Sequence, residues 1–233
     1  MLVQDLLRSV RHRLRDEIGT SEQRLWEDAE LIDDYANAAR NKLFILCRRL
    51  VVDSTSHLDA ANLPLCQLTV VANTASYALS PKILEIVRVK LASQSVPLSR
   101  VYADELDTYC YDWEGADAGP PWAYCPDLDT DKIRLIPTPD TNDTASLTVY
   151  RLPLSQLTCT AKSEALGIRE EYGEDLIPWI LHLAFLKKDA ETDRPDLADY
   201  YAKKFLARID EIKIETHRRL SGIHTNRPRG AFL

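Results

Sequence analysis

Glycine is the first shortage. The chain has seven glycines in 233 residues, and none stands in a G-x-G-x-x-G or G-x-x-x-x-G-K register. Phosphate-cradling loops need glycine so that backbone amides can approach closely, so no dinucleotide or Walker-type site is expected. There is no G-x-S-x-G elbow. The five cysteines, Cys47, Cys66, Cys110, Cys125 and Cys159, include no C-x-x-C pair and no local nucleophile signature. An odd, scattered set fits reduced thiols in a cytosolic compartment better than a disulfide framework. The histidines, His12, His57, His182, His217 and His224, are isolated, with no H-x-x-x-H or His/Cys pair at ligand spacing. Neither a metal nor another cofactor is therefore expected, and His182 reads as a hydrogen-bonded core residue. Long apolar runs are missing too. The longest, Trp179 to Leu186, is too short to span a bilayer, and Asp5 and Arg8 interrupt any apolar signal region near the start. No membrane partner and no secretory signal are expected, and the chain reads as a non-enzyme.

What is present is ordinary for a folded, soluble chain: 45% hydrophobic and 28% charged residues. A globular protein of this length buries roughly 70 to 75% of its unfolded surface, enough for a core without staples. The net charge of −7 is unevenly spread: residues 216–233 carry Arg218, Arg219, Arg227 and Arg229 and no acid, so this end is +4 and the rest −11. An acidic body argues against wrapping nucleic acid, because duplex binding draws on Lys and Arg against phosphate. The basic end is a candidate arm for an acidic partner.

Val3, Leu7, Val10, Leu14 and Ile18 recur at helical spacing over residues 2–18, with Arg8, His12 and Arg15 turned away. After Gly19, Thr20 and Ser21, a long second helix is expected from Glu27 to Leu50 through Ile32, Tyr35, Ala39, Leu43, Leu46, Cys47 and Leu50. The period then changes. Ten of the twelve prolines fall between Pro64 and Pro178, and β-branched and aromatic residues gather there. The run Cys66 to Val71 opens this section, and strands are expected in Tyr77 to Leu79, Ile83 to Leu91, Ser99 to Tyr102, Ile133 to Ile136 and Leu147 to Leu152, the last two as a hairpin turning at Pro139 to Ala145. Helical periodicity returns from Glu170 with Leu176, Ile177, Ile180, Leu181, Ala184 and Phe185. Pro195 is placed to open a last helix carrying Leu197, Tyr201, Phe205, Ile209 and Ile212 to about Leu220. The expected fold class is α+β: N-terminal helices (1–61) and C-terminal helices (156–220) pair in a four-helix bundle, a central, mainly antiparallel β domain (62–155) projects from it, and an extended tail (221–233) follows.

Two stretches invite chemistry. Asp127, Asp129 and Asp131 alternate like the start of a calcium loop, but Lys132 stands where the loop needs glycine and Thr138 where it needs a bidentate Glu; a turn between strands is the plainer reading. Asp104 to Asp131 holds nine carboxylates and no Lys or Arg, interleaved with Tyr109, Tyr111, Trp113, Trp122 and Tyr124. It reads either as a solvated loop whose aromatics plug the β core or as a contact or channel-facing lobe built on Asp104, Glu105, Asp107, Asp112, Glu114 and Asp117. Nothing in it separates an acid from a base as glycoside hydrolysis requires.

Several segments, read in order, carry a family resemblance: Tyr77-Ala-Leu-Ser-Pro-Lys-Ile-Leu-Glu-Ile-Val-Arg-Val, Pro121-Trp-Ala-Tyr, Ile133-Arg-Leu-Ile-Pro-Thr-Pro-Asp, Leu147-Thr-Val-Tyr-Arg-Leu-Pro, and Ile168-Arg-Glu-Glu-Tyr-Gly-Glu-Asp-Leu-Ile-Pro-Trp-Ile-Leu-His-Leu-Ala. Set in a helix, β, helix frame over most of residues 24–205, they resemble the head-to-tail adaptors of tailed bacteriophages, including those called tail tubular protein A. The resemblance implies a structural virion protein of the phage neck, assembled in the host cytoplasm. It implies a homo-oligomeric ring of about twelve subunits that docks beneath the portal protein, extends the DNA channel and gives the tail tube or nozzle protein a platform. Viral DNA would pass through without specific binding. It also implies a C-terminal extension that reaches the portal; here that piece is Ser221 to Leu233, with Arg227 and Arg229 set to pair with carboxylates and Phe232 and Leu233 to enter an apolar groove. A frayed terminus is the other reading of this tail. Another neck component, a head-completion or tail-terminator protein, and a small enzyme or regulatory binding module are the competing functions; helices returning after Glu170 favour the adaptor over the first of these.

Overall fold

The computed structural model describes residues 1–16, 24–59, 62, 63, 65–110, 112–126, 128–188 and 193–225, with 220–225 described in backbone only. Five helices and two β-sheets divide between two compact units, Met1–Leu50 with Ser155–Leu233, and Val51–Leu154.

The first unit is helical. α1 (Val3–Leu14) starts where Asp5 accepts the Leu2 amide at 3.2 Å and stops at Arg15, which takes a left-handed φ of 58°. It buries Val3, Leu6, Leu7 and Val10 and leaves Arg8, His12 and Arg15 exposed. The expected second helix is shorter and less regular than its periodicity suggests: Glu30–Ala36 is a π-helical turn, and α2 (Asn37–Cys47) ends before Leu50. The Asn37 side chain, buried at their junction, explains part of this, donating to the carbonyls of Ile32 and Asp33. α4 (Ile177–Phe185) follows two 3₁₀ turns, Glu170–Tyr172 and Glu174–Leu176, and Pro178 in its first turn lacks only an N–H that a helix start leaves unpaired. It is apolar on most sides because it packs against α1, α2 and α5 (Pro195–Thr225). Ile177, Ile180, Leu181 and Ala184 are fully buried. At about 25 cal/mol per Å² of apolar area, each large aliphatic contributes roughly 1.5 to 3 kcal/mol. α5 departs from expectation twice. Leu197 is exposed and Ala198 takes the buried place, and the helix runs past Leu220 to Thr225, so Ser221 to Thr225 are helical where an extended tail was expected.

The second unit is a pair of sheets. In the first, the long strand β8 (Asp143–Arg151) is central. β4 (Ile83–Leu91) lies antiparallel along one edge; β1 (Val52–Asp53) and β2 (Gln67–Val70) lie end to end along the other. Ala145, Leu147 and Val149 alternate inward on β8, as the two-residue period of a half-buried strand demands. The second sheet has the order β3 (Ser76–Ala78), β7 (Lys132–Ile136), β6 (Ala123–Cys125), β5 (Ser99–Arg100), with β5 and β6 parallel. The expected hairpin of Ile133–Ile136 with Leu147–Leu152 does not form. β7 pairs with β3 and β6, β8 pairs with β1, β2 and β4, and the chain from Pro137 to Asn142 crosses between sheets. Tyr77, Ile133, Leu135 and Tyr124 join Val89, Leu91 and Leu147 in one core.

Candidate acidic contact lobe

The acidic lobe grows out of the outer face of β6. All three β6 residues are buried, because Tyr124 faces the main core while Ala123 and Cys125 face the other way, where Ile136 joins them. A short helix covers that second face. α3 (Ala103–Tyr109) does so with one buried side chain, Leu106, and leaves its acids outward. Glu105 caps the helix by accepting the Tyr102 amide at 3.2 Å, and Asp104 and Glu105 at the positive end suit the helix dipole. Where a solvated loop was one expectation, residues 104–109 are helical and 112–115 form a turn.

Asp107 accepts the Trp113 indole N–H at 2.8 Å. Trp113 in turn lies under the Arg134 guanidinium, 4.8 Å from the ring centre, and Arg134 pairs with Glu114 at 3.3 Å. Asp112 takes φ 53° and its carbonyl accepts the Gly115 amide, folding the turn. Asp107, Cys110, Asp112, Trp113 and Glu114 line an open hollow of about 270 Å³. The six acids named from the sequence thus lie on one exposed stretch, with Asp117 on the loop after the turn. Three of them hold structure, since Glu105 caps, Asp107 fixes the tryptophan and Glu114 meets Arg134; Asp104, Asp112 and Asp117 present carboxylates to solvent. Tyr109 is 82% exposed and Trp122 51%, so these two aromatics do not plug the β core, whereas Tyr124 does.

A second charged feature lies on the helical unit, and sequence reasoning passed over it. Arg11, only 6% exposed, donates to Asp16 at 2.7 Å, to Asp28 at 2.5 Å and to the Trp26 carbonyl at 3.0 Å. Arg24 and Lys162 each stand 3.6 Å from the same Asp28 carboxylate. Together with exposed Arg8 they surround an open cleft of about 380 Å³ floored by Leu7. Burial raises the Asp28 carboxyl, but the hydrogen bond and charge of Arg11 and the charges of Lys162 and Arg24 hold it below its ordinary value. The available signal was the four-residue spacing of Arg24 and Asp28 and the three-residue spacing of Arg8 and Arg11 on α1.

Burial pushes the Cys47 and Cys66 thiols up to about 11, which keeps them protonated at neutral pH. All five cysteines are free thiols. His182 Nδ1 sits 2.9 Å from the Ala198 carbonyl and its ring lies against Trp179, where it joins α4 to α5. Among the described residues no three His, Cys, Asp or Glu side chains are grouped to hold a metal. Asp127 is outside the described residues; Asp129 pairs with Lys132 in the turn before β7. No described helix is long and apolar enough to cross a membrane. Arg227, Arg229, Phe232 and Leu233 lie outside the described residues.

The family model of the SU10 adaptor protein matches residues 1–229. No curated protein matches the chain.

Proposed function

The chain belongs to the SU10 adaptor protein family, which makes it a structural head-to-tail adaptor of the phage neck, and from that membership we propose how it works there. It forms a closed ring of about twelve copies beneath the portal, extends the DNA channel and carries the tail tube or nozzle on its far side. The adaptor family is a structural one, and the proposal contains no catalytic step. The match over 1–229 is the observation that carries the reading.

Three finer assignments complete it. The packing of α4 on α1, α2 and α5 supports a four-helix bundle as the ring's rigid scaffold. The exposed carboxylates Asp104, Glu105, Asp107, Asp112, Glu114 and Asp117 form a contact or channel-facing lobe. The segment 221–233 docks on the portal, where Arg227 and Arg229 meet carboxylates and Phe232 and Leu233 fill an apolar groove.

Mixing the purified chain with its cognate portal and imaging by electron microscopy tests the ring. Adaptor density closed beneath the portal is the expected result, and lone adaptor beside intact portal rings would overturn it. Deleting 221–233 should abolish co-sedimentation with the portal while the chain melts as before; unchanged binding would remove the docking arm from the proposal.

A further inference from the structure

Among the described residues the basic cleft holds more cations than carboxylates. Four cations, Arg8, Arg11, Arg24 and Lys162, converge there, and Asp28 and Asp16 are the carboxylates that answer them among the described residues. Asp16 is spent on Arg11 and on the Leu25 amide. Asp28 is shared three ways. The Arg24 Nε is covered from water and finds no acceptor among the described residues, a costly state for a guanidinium N–H. Lys162 is 57% exposed at the rim, so the cleft is open to a partner. Its geometry and charge call for carboxylates, which guanidinium groups bind through paired, charge-assisted hydrogen bonds.

We propose that this cleft is the receiving half of the contact between neighbouring subunits, and that it takes the acidic lobe of a second copy of this chain. The inference rests on the ring reading above. A cyclic ring joins two different surfaces of the same chain at every junction, so each chain must carry both complementary halves. Here one unit carries a cleft with surplus cations, and the other carries Asp104, Asp112 and Asp117 with carboxylates turned to solvent on a lobe that α3 and the Trp113–Arg134 stack hold in shape. Exposed Tyr109 on the same lobe adds apolar area of the kind that anchors interfaces. Duplex DNA is the poorer occupant, because a chain of net charge −7 repels phosphate at longer range.

The test reverses charge at exposed positions on the rim of the cleft and on the lobe. Arg8→Glu with Lys162→Glu reverses the cleft; Asp104→Lys with Asp117→Lys reverses the lobe. Each full-length variant is mixed with the cognate portal, ring yield is read by native mass spectrometry, and circular dichroism melting checks folding. Each variant alone should give at least about tenfold fewer rings than the unaltered chain. A one-to-one mixture of the two should restore them with the two chains in equal number, because every junction then joins opposite charges again. Undiminished ring formation by either variant, or no recovery in a mixture of two normally folded variants, overturns the inference. Absence of rings from the unaltered chain would instead overturn the ring reading beneath it.

Discussion

Arg40 is a guanidinium in a place where α2 faces the core, 2% exposed, with the Glu164 charge near it but no ion pair to it among the described residues. It is held by carbonyls, donating to Leu166 at 3.2 Å and Ser155 at 2.5 Å, and to Asn37 Oδ1 at 3.1 Å, while Asn37 exchanges two hydrogen bonds with the Leu157 backbone. These bonds fasten the chain after Ser155 to α2. Burial lowers the Arg40 pKa to about 10, against the raising charge of Glu164, so it stays protonated at neutral pH. Arg40→Leu would leave buried carbonyls unpaired, and a loss of about 2 to 4 kcal/mol in urea unfolding is expected. Asp53 does comparable work in the β unit, where it takes the Arg151 Nε at 2.6 Å and the Thr55 amide at 2.8 Å and so ties β1 to the end of β8. Burial raises its carboxyl, but the Thr55 amide, Arg151 and the His57 charge outweigh that and hold it below its ordinary value. A depressed carboxyl stabilises above its unfolded pKa, and the benefit is lost as pH falls through the folded value. Asp53→Asn should therefore cost about 1 to 3 kcal/mol at pH ~7 and progressively less below pH ~4, as read from denaturant midpoints across that range.

Elements in this chain are joined by a few charged clamps as well as by their apolar faces. Arg208 on α5 reaches Asp175 in the 3₁₀ turn before α4 at 3.0 Å and also meets Glu211 and Glu215. Asp175 is pushed up by burial despite that partner. Its ionised form is costly in the fold, a penalty absent below its ordinary pKa and growing as pH rises through the folded value. Arg208→Ala strands Asp175, so a loss of about 3 to 5 kcal/mol is expected at neutral pH, shrinking in acid. A pH-independent loss would mean that packing, and not the carboxylate, sets the cost. Elements with an apolar stripe or strict alternation were legible beforehand: α1, the core face of α4, Phe205, Ile209 and Ile212 on α5, and the strands β4 and β8. Those built on little escaped. α3 buries one residue, and seven residues rich in acid read as loop. β6 is buried on both faces, so its three residues carry no alternation. The false β7–β8 hairpin has another origin: period and turn residues report which segments are extended, but not which strand lies beside which. The six acids could be placed together from sequence alone; the cleft could not, because Lys162 reaches Asp28 across a separation no local pattern spans.

For the whole molecule, charge decides more than any single contact. The chain carries −7 in total, and a ring of about twelve would carry roughly 84 negative formal charges before counter-ions are counted. Duplex binding draws its affinity from cations placed on phosphates, with the counter-ions this releases. The cations gathered in the cleft face Asp28 and Asp16, so they offer phosphate a smaller net charge than their number suggests. On the proposed ring reading, a conduit that lets DNA pass should be non-adhesive, and an acidic ring would meet that need without any specific lining residue. Fluorescence anisotropy of a labelled duplex titrated with portal-assembled rings should show no retention at physiological salt, while any signal at low salt should vanish as salt is raised past a Debye length of about 10 Å. Salt-resistant binding would require a dedicated DNA site and would replace the passive conduit with a channel that grips its cargo.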